Sequence, residues 1–178
     1  MDIAFYTIAI TSVLYIISKL IQPAIKIKEP KLGVFGAQVI YSDEDGGKLL
    51  KSEKYDLQGK PDYIFQTMLG GSYIPVELKS TKLKEEDVFP HEGDLMQLVA
   101  YFLIIEDLYG KRPKNGRLVY NNRMFIIKNT RSLRRQLKRY LKEMRQMIKT
   151  GQGQADPSFP KCKNCVCRDT VCIWNEER

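Results

Sequence analysis

Two strand-like runs that enclose a glycine turn constrain the fold of this chain most strongly. Residues 61–68 and 73–80 are mainly apolar or aromatic, and Gly70 and Gly71 lie between them, a pattern typical of paired strands. In the second run Glu77 and Lys79 are two positions apart, so both side chains leave the same face of a strand. The pattern predicts a strand pair that presents a carboxylate beside an ammonium group.

The surrounding sequence alternates strand-like and helical patterns. Residues 32–41 and 54–57 flank an acidic turn with two glycines, which predicts a hairpin. Residues 94–109 have helical periodicity that stops at Gly110. Residues 118–120 and 124–127 surround an Asn-Asn turn, as a second hairpin would.

A long helix follows, with Thr130 as a fair N-cap and an end at Thr150 before Gly151. This order of strands, helix, hairpin and helix predicts an α/β domain with a central mixed sheet flanked by helices. Three divisions are expected: a hydrophobic helix and linker at residues 1–30, a core at 31–156 and a cysteine-rich tail at 157–178.

Asp62, Glu77 and Lys79 form the candidate site for chemistry. Asp62 ends a Gly-x-x-Asp motif on the strand before Glu77. Two carboxylates suit Mg²⁺ or Mn²⁺, and such a metal activates water and screens a scissile phosphate. Lys79 would then position or deprotonate that water and stabilise the developing charge. The alternative is that Glu77 and Lys79 form an exposed ion pair of little consequence.

Gln97 and Tyr101 are four positions apart, so they share one face of the predicted helix. An amide and a phenol in that position would hydrogen-bond a phosphate or the catalytic groups. The alternative is a half-buried tyrosine beside an incidental glutamine.

The last long helix is strongly basic. The chain carries 29 Lys+Arg against 21 Asp+Glu, a net charge of +8, which favours polyanionic partners. On this helix we expect an apolar stripe that packs in the core, comprising Leu133, Leu137, Tyr140, Leu141, Met144 and Ile148. We expect DNA phosphates, with membrane phosphates as the alternative, to contact the opposite face, through Arg134, Arg135, Lys138, Arg139, Lys142 and Arg145.

The four cysteines, Cys162, Cys165, Cys167 and Cys172, all lie in the last 17 residues. A secreted disulfide framework would spread its cysteines through the fold. This close spacing instead indicates ligands of one metal centre, and four cysteines suit either an iron–sulfur cluster or zinc.

The N-terminus combines an uncharged stretch, residues 3–18, with lysines that follow it. Residues 3–22 approach the length of a membrane span if Lys19 reaches the headgroups. The lysines after it would face the cytoplasm, and we expect the remainder of the chain on that side. The alternative is an amphipathic helix packed on the domain.

The motifs D…ELKS and QLVAY resemble those of the RecB-type nucleases of the PD-(D/E)XK superfamily, most closely the CRISPR-associated Cas-four exonucleases. The resemblance covers residues 59–174. It implies a restriction-endonuclease-like fold and Mg²⁺ or Mn²⁺ bound by Asp62 and Glu77. It also implies that Lys79 is catalytic, that Gln97 and Tyr101 support the site, and that the cysteines hold a 4Fe–4S cluster.

Two departures from that family concern histidine and cysteine. The family has an upstream histidine as a further metal ligand, but the single histidine here, His91, follows the motifs, and we interpret it as ordinary loop polarity. Glu53 or Asp56 is a candidate replacement. The family also has an N-terminal cysteine, which this chain lacks, so Cys167 is the candidate for the fourth ligand of the cluster, with zinc as the alternative metal.

Together these patterns predict a membrane-tethered, cytoplasm-facing DNA nuclease, an exonuclease that acts in DNA processing with CRISPR adaptation or repair proteins. The rival interpretation is a catalytically weak nucleic-acid-binding or scaffold protein that retains the fold.

Overall fold

The structure is a computed structural model that describes residues 7–8, 10–16, 25–28, 34–44 and 46–152. Two compact units divide the chain, residues 1–138 and 139–178. The regular elements, in chain order, are β1 (Ile25–Lys28), β2 (Ala37–Ser42), β3 (Leu50–Ser52), β4 (Leu57–Gly59), β5 (Tyr63–Thr67), β6 (Tyr73–Lys79), α1 (Glu92–Tyr109), β7 (Asn115–Tyr120), β8 (Met124–Lys128) and α2 (Arg131–Thr150).

Six strands form one mixed sheet in the order β1-β8-β7-β6-β5-β2, and β3 and β4 form a separate pair. Within the sheet β6 and β7 are parallel, whereas the other neighbours are antiparallel. A parallel pair needs a long crossover connection, and α1 is the helix of that connection. The predicted α/β class with a central mixed sheet flanked by helices is confirmed.

Helix α1 is apolar around most of its circumference, so it is buried in the domain along most of its length. Gly116 on β7 permits its close approach, since a Cβ there would lie 2.9 Å from Phe102 and from the Pro75 carbonyl. The helix ends, as predicted, at Gly110 with a left-handed φ of 65°. Its buried residues are Met96, Leu98, Val99, Tyr101, Phe102, Leu103, Ile104 and Ile105.

Strand β6 is buried on both faces over most of its length. Val76 packs with Tyr63, Phe65 and Ile74 on one face, while Glu77 is buried on the other. Leu78 is on the same face as Val76, but it lies at the end of the strand and is exposed.

Three sequence interpretations of strands need correction. Residues 25–28, assigned to a linker, form β1, which pairs antiparallel with β8. Their alternating Ile and Lys residues have the period of a strand. Residues 54–56 lie in the β3–β4 turn, where Asp56 has a left-handed φ of 49°. The predicted hairpin of residues 32–41 with 54–57 is also wrong, because strand β2 pairs with β5.

Helix α2 begins as predicted, since the Leu133 amide donates to the Thr130 hydroxyl at 3.2 Å. Leu137 is buried, but Met144 and Ile148 are 57% and 82% exposed. The expected apolar core stripe is therefore wrong for the C-terminal half of the helix.

Several predictions lie partly or wholly outside the described residues. Residues 7–8 and 10–16 are helical and exposed, but the rest of the expected anchor at residues 3–22 is not described. Among the described residues, no helix combines the length and apolar character needed to cross a bilayer. Two further predictions lie outside the described residues and stay predictions. They are the divisions at residues 30 and 156, and the metal-binding tail with Cys162, Cys165, Cys167 and Cys172.

Candidate active site

The β5–β6 hairpin brings Asp62 and Glu77 to the same end of the sheet. Tyr63 pairs with Val76 across the two strands, so Asp62 directly precedes and Glu77 directly follows that pair. The Asp62 carboxylate accepts a hydrogen bond from the Leu78 amide at 2.6 Å. This contact fixes Asp62 against the end of β6.

Glu77 is a buried carboxylate with one oxygen that has no protein partner. Its Oε1 accepts from Lys79 Nζ at 3.1 Å and from Gln97 Nε2 at 2.6 Å, whereas its Oε2 is buried without a hydrogen bond. Burial and the charge of Asp62 raise the pKa of Glu77, and they outweigh the opposing effects of Lys79 and of the Asp62 backbone. A cation beside Oε2 would relieve both effects.

The Lys79 ammonium lies among three acceptors. Its Nζ is 3.1 Å from Glu77 Oε1, 2.7 Å from Gln97 Oε1 and 3.2 Å from Asp94 Oδ1. An ammonium has three N–H donors, so this arrangement uses all of them. Burial acts to lower the pKa of Lys79, but the hydrogen bonds and charges of Glu77 and Asp94 outweigh it and raise the pKa.

Gln97 and Tyr101 join the same network from one face of α1. The Gln97 amide donates to Glu77 and to the Tyr101 hydroxyl, the latter at 2.8 Å, and the hydroxyl donates to the Lys60 carbonyl at 3.0 Å. Burial raises the pKa of Tyr101 to about 12. Gln97 therefore connects Lys79, Glu77 and Tyr101, and is not an incidental neighbour.

The glycine of the Gly-x-x-Asp motif has a packing role. A Cβ at Gly59 would lie 2.8 Å from Cε1 of Tyr101, closer than two carbon atoms approach without displacement. The absent side chain thus leaves room for the Tyr101 ring beside the chain that leads to Asp62.

Asp94 and Tyr120 complete the network, and sequence reasoning missed both. Asp94 lies in the first turn of α1 and accepts a hydrogen bond from the Tyr120 hydroxyl at 2.6 Å. Burial and the hydrogen bond to Asp94 raise the pKa of Tyr120. No local sequence signal marks the pair, because the contact depends on the parallel register of β6 and β7, which pairs Lys79 with Tyr120.

The candidate DNA-binding residues have different environments. Arg131, Arg134, Arg135 and Lys138 line an open cavity of about 390 Å³. The Arg134 side chain is only 12% exposed and forms an ion pair with Glu106 at 2.5 Å, whereas Arg135 and Lys138 are exposed. Three further candidates lie in the second compact unit, where they are also exposed: Arg139, Lys142 and Arg145.

The side chains of Glu53, Asp56 and His91 make none of the hydrogen bonds or ion pairs described for the site. Glu53 and Asp56 line a separate cavity of about 360 Å³ at the β3–β4 turn. His91 is exposed at the start of α1, where its backbone amide donates to the Tyr120 hydroxyl at 3.3 Å. The His91 side chain makes no capping hydrogen bond, and its ring lies edge-on to Tyr120 at a centroid distance of 6.0 Å.

The residues present fit a divalent cation. Among the described residues, no group of three or more His, Cys, Asp or Glu side chains is arranged to hold a metal. Mg²⁺, however, is commonly bound through one or two carboxylates, with water and substrate phosphate as the other ligands. Asp62 and the unpartnered Glu77 Oε2 provide such a pair.

A comparison with protein families agrees with this arrangement. Residues 22–172 match the PD-(D/E)XK nuclease superfamily, whose members generally use divalent metals. No match to a curated protein is found. Because the match covers most of the chain and includes every residue of the network, the chain belongs to the PD-(D/E)XK nuclease superfamily.

Proposed function

We propose that this protein is a Mg²⁺- or Mn²⁺-dependent deoxyribonuclease that hydrolyses phosphodiester bonds at Asp62, Glu77 and Lys79. One observation carries the proposal: a fully hydrogen-bonded ammonium lies beside a buried carboxylate that retains an unpartnered oxygen. Family membership alone supports a nuclease, and this arrangement supports an intact site.

Asp62 and Glu77 would hold the metal. Such a cation lowers the pKa of bound water and screens the charge of the scissile phosphate. Burial of Glu77 excludes competing water from the carboxylate, and the Leu78 amide orients Asp62. The two carboxylates are thus arranged before any ligand arrives.

Lys79 acts in this proposal as a charged hydrogen-bond donor and not as the general base. Three acceptors surround its Nζ, and a neutral amine has only two N–H groups to offer them. An ammonium is suited to stabilise the negative charge that develops on the phosphate. Gln97 then supports the site because it hydrogen-bonds Glu77 and Lys79 directly. Tyr101 supports it indirectly, because its hydroxyl accepts from Gln97.

DNA is the proposed substrate. The exposed cations of α2 supply a surface for the phosphate backbone, with Arg135 and Lys138 in the first compact unit. Arg134 is less suited to this role because its guanidinium is paired with Glu106.

The test is cleavage of single- and double-stranded DNA with Mn²⁺ by wild type, Glu77→Ala and Lys79→Ala. We expect rapid cleavage by wild type, none by Glu77→Ala and only slow residual cleavage by Lys79→Ala, with all three proteins folded by circular dichroism. Undiminished cleavage by folded Glu77→Ala would contradict the site. A wild type that binds DNA but cleaves neither substrate would favour the scaffold interpretation.

Exonuclease action of the RecB and Cas-four type is the finer proposal, supported by the motifs around Lys79 and Gln97. Degradation of linear DNA with no cleavage of a closed circle of the same sequence is the expected result. Cleavage of the circle would show endonuclease action. The role in CRISPR adaptation or repair is part of the same proposal, and co-purification with proteins of either process is its test.

We also propose that Cys162, Cys165, Cys167 and Cys172 bind a 4Fe–4S cluster. The support is their spacing and the resemblance. Protein purified without oxygen should contain about four irons per chain. One zinc and no iron per chain would indicate a zinc site instead of the cluster. Protein that contains no iron and no zinc would contradict both assignments.

Anchoring of residues 3–22 in the membrane, with the nuclease on the cytoplasmic side, is a further proposal. The support from the structure is a set of exposed apolar side chains on the helical residues 7–8 and 10–16, comprising Ile8, Ile10, Val13, Leu14, Tyr15 and Ile16. Full-length protein should sediment with membranes in high salt, while a protein that starts at Pro23, and so keeps β1 and its pairing with β8, stays soluble. Soluble full-length protein and an aggregating truncation would contradict the anchor.

A further inference from the structure

Asp94 contributes to the site although neither the Glu-x-Lys nor the Gln-x-x-x-Tyr motif contains it. Its Oδ1 lies 3.2 Å from Lys79 Nζ, and its Oδ2 accepts from the Tyr120 hydroxyl at 2.6 Å. We propose that Asp94 is a positioning residue that holds the Lys79 ammonium in place for catalysis. The inference deepens the proposed nuclease function and rests on it.

Asp94 differs from the other two acceptors around Lys79. Glu77 is also the candidate metal ligand, so a bound cation would compete with Lys79 for the same carboxylate. Gln97 carries no charge, and its amide is shared between Glu77 and Tyr101. Asp94 is therefore the anionic partner that Lys79 keeps when Glu77 is engaged elsewhere.

The core holds Asp94 through Tyr120. The Tyr120 side chain is 1% exposed, and its ring packs edge-on against Phe125 at a centroid distance of 5.8 Å. Tyr120 is also the register partner of Lys79 across β6 and β7. The hydrogen bond to Asp94 thus connects α1 to the strand beside Lys79.

This connection matters because a lysine side chain is long and flexible. Placing its ammonium within a fraction of an ångström of a reacting phosphate requires fixed partners, and misplacement by about 1 Å costs up to about 100-fold in rate. Glu77 and Gln97 fix Nζ from two directions, and Asp94 supplies a third.

A merely structural role for Asp94 would be stabilisation of α1, since an acid in the first helical turn interacts favourably with the helix dipole. That role predicts a loss of thermal stability without specific coupling to Lys79. The positioning role predicts that the effect of Asp94 on catalysis depends on the Lys79 side chain.

The kinetic test uses Asp94→Asn, which keeps the shape and removes the charge. We expect kcat for Mn²⁺-dependent DNA cleavage to fall about 10- to 100-fold, with KM for DNA unchanged. In a Lys79→Ala background the same substitution should cause no further loss. An equal loss of kcat in both backgrounds would overturn the proposal.

The matched control is Asp107→Asn. Asp107 is also a carboxylate of α1, it accepts from the Ser52 hydroxyl at 2.7 Å, and it lies about 20 Å further along the helix. This variant should keep the wild-type kcat. A comparable fall in kcat would show that any lost carboxylate of α1 disturbs the enzyme, and would overturn the specific role of Asp94.

A second readout uses protein without metal or DNA. With ¹⁵N-labelled lysine, the Lys79 side-chain ammonium should give a persistent NMR signal, assigned by its absence from Lys79→Ala. A hydrogen-bonded ammonium exchanges its protons slowly, so we expect this signal to be lost in Asp94→Asn and kept in Asp107→Asn. A signal of unchanged intensity in Asp94→Asn would overturn the proposal.

These measurements separate the two proposals. Wild type that cleaves no DNA contradicts the nuclease function, while the NMR result still decides whether Asp94 holds Lys79. Mn²⁺ affinity, measured by calorimetry, should be the same in wild type and Asp94→Asn. A large loss of affinity would make Asp94 a metal ligand and would overturn the positioning role.

Discussion

The two long helices differ in how they use their polar residues. Helix α1 is buried along most of its length, and its polar side chains Asp94 and Gln97 are tied into one hydrogen-bond network with Lys79. Helix α2 has a single buried side chain, Leu137, among its described residues, and its cations are mostly exposed. A buried network fixes positions, whereas an exposed basic face supplies charge. We therefore expect large, specific effects from α1 and small, salt-dependent effects from α2.

The largest effect should come from Gln97→Leu on α1. The substitution removes the partner of Lys79, Glu77 and Tyr101 at once, so we expect kcat for DNA cleavage to fall about 100-fold. The control is Gln136→Leu on α2, where the amide donates to Glu92 at the surface. Single-turnover rates measure both, and similar losses in the two variants would refute the contrast between the helices.

Tyr101→Phe should have a moderate effect. It leaves the Lys60 carbonyl and the Gln97 amide without one hydrogen-bond partner each, which corresponds to about 1 kcal/mol and about fivefold in kcat. Tyr109→Phe, at the far end of α1, is the control for loss of a hydroxyl. If Tyr101→Phe cleaves DNA at the wild-type rate, the Tyr101 hydroxyl does not contribute to catalysis.

Smaller effects are expected from Arg135→Gln and Lys138→Gln on α2. If each side chain contacts one phosphate, each substitution should reduce the slope of log affinity against log salt by about 0.9, with kcat unchanged. Arg134→Gln is the neighbouring control, because Arg134 is paired with Glu106 and should affect thermal stability instead. A salt slope that only Arg134→Gln changes would reverse this assignment.

The smallest effect concerns the stability of metal-free protein. Burial raises the pKa of Glu77, so its favourable contribution to stability is fully present below about pH 4.3, the unfolded value, and is lost as pH rises through the folded pKa. Relative to wild type, the melting temperature of Glu77→Gln should therefore rise as the pH is raised from 4 to 7. Glu143→Gln, on the exposed face of α2, should show no such trend. A constant difference across that pH range would contradict the burial effect.

The sequence was sufficient for the parts of the fold where local signals coincide. The asparagine turn between β7 and β8, Gly110 at the end of α1 and Thr130 before α2 each have a local cause, and each prediction is confirmed. The short strand β1 was missed because two prolines flank it at positions 23 and 30 and suggested a linker. The partner of β2 was missed because chain proximity favoured residues 54–57 over β5.

The candidate site likewise has residues that local sequence patterns predict and residues that they do not. Spacing alone predicts that Glu77 and Lys79 share a face, and the structure brings Gln97 and Tyr101 to them. Asp94 was not identifiable, because an acid in the first turn of a helix is common for reasons unrelated to catalysis. Its role depends on Tyr120, which reaches it through a parallel strand pairing that no local pattern discloses.

That parallel pairing has a consequence for the order of events during synthesis. Lys79 and Tyr120 are register partners, yet Tyr120 is made 41 residues later, an interval of about 2 to 8 s at ribosomal speeds. Until then the sheet consists of β2, β5 and β6 only, because β1 and β8 join it through β7. The catalytic side chains therefore gain their final positions only after α1 and β7 have been translated, so a truncated product that ends before β7 should be harmless to nearby nucleic acid.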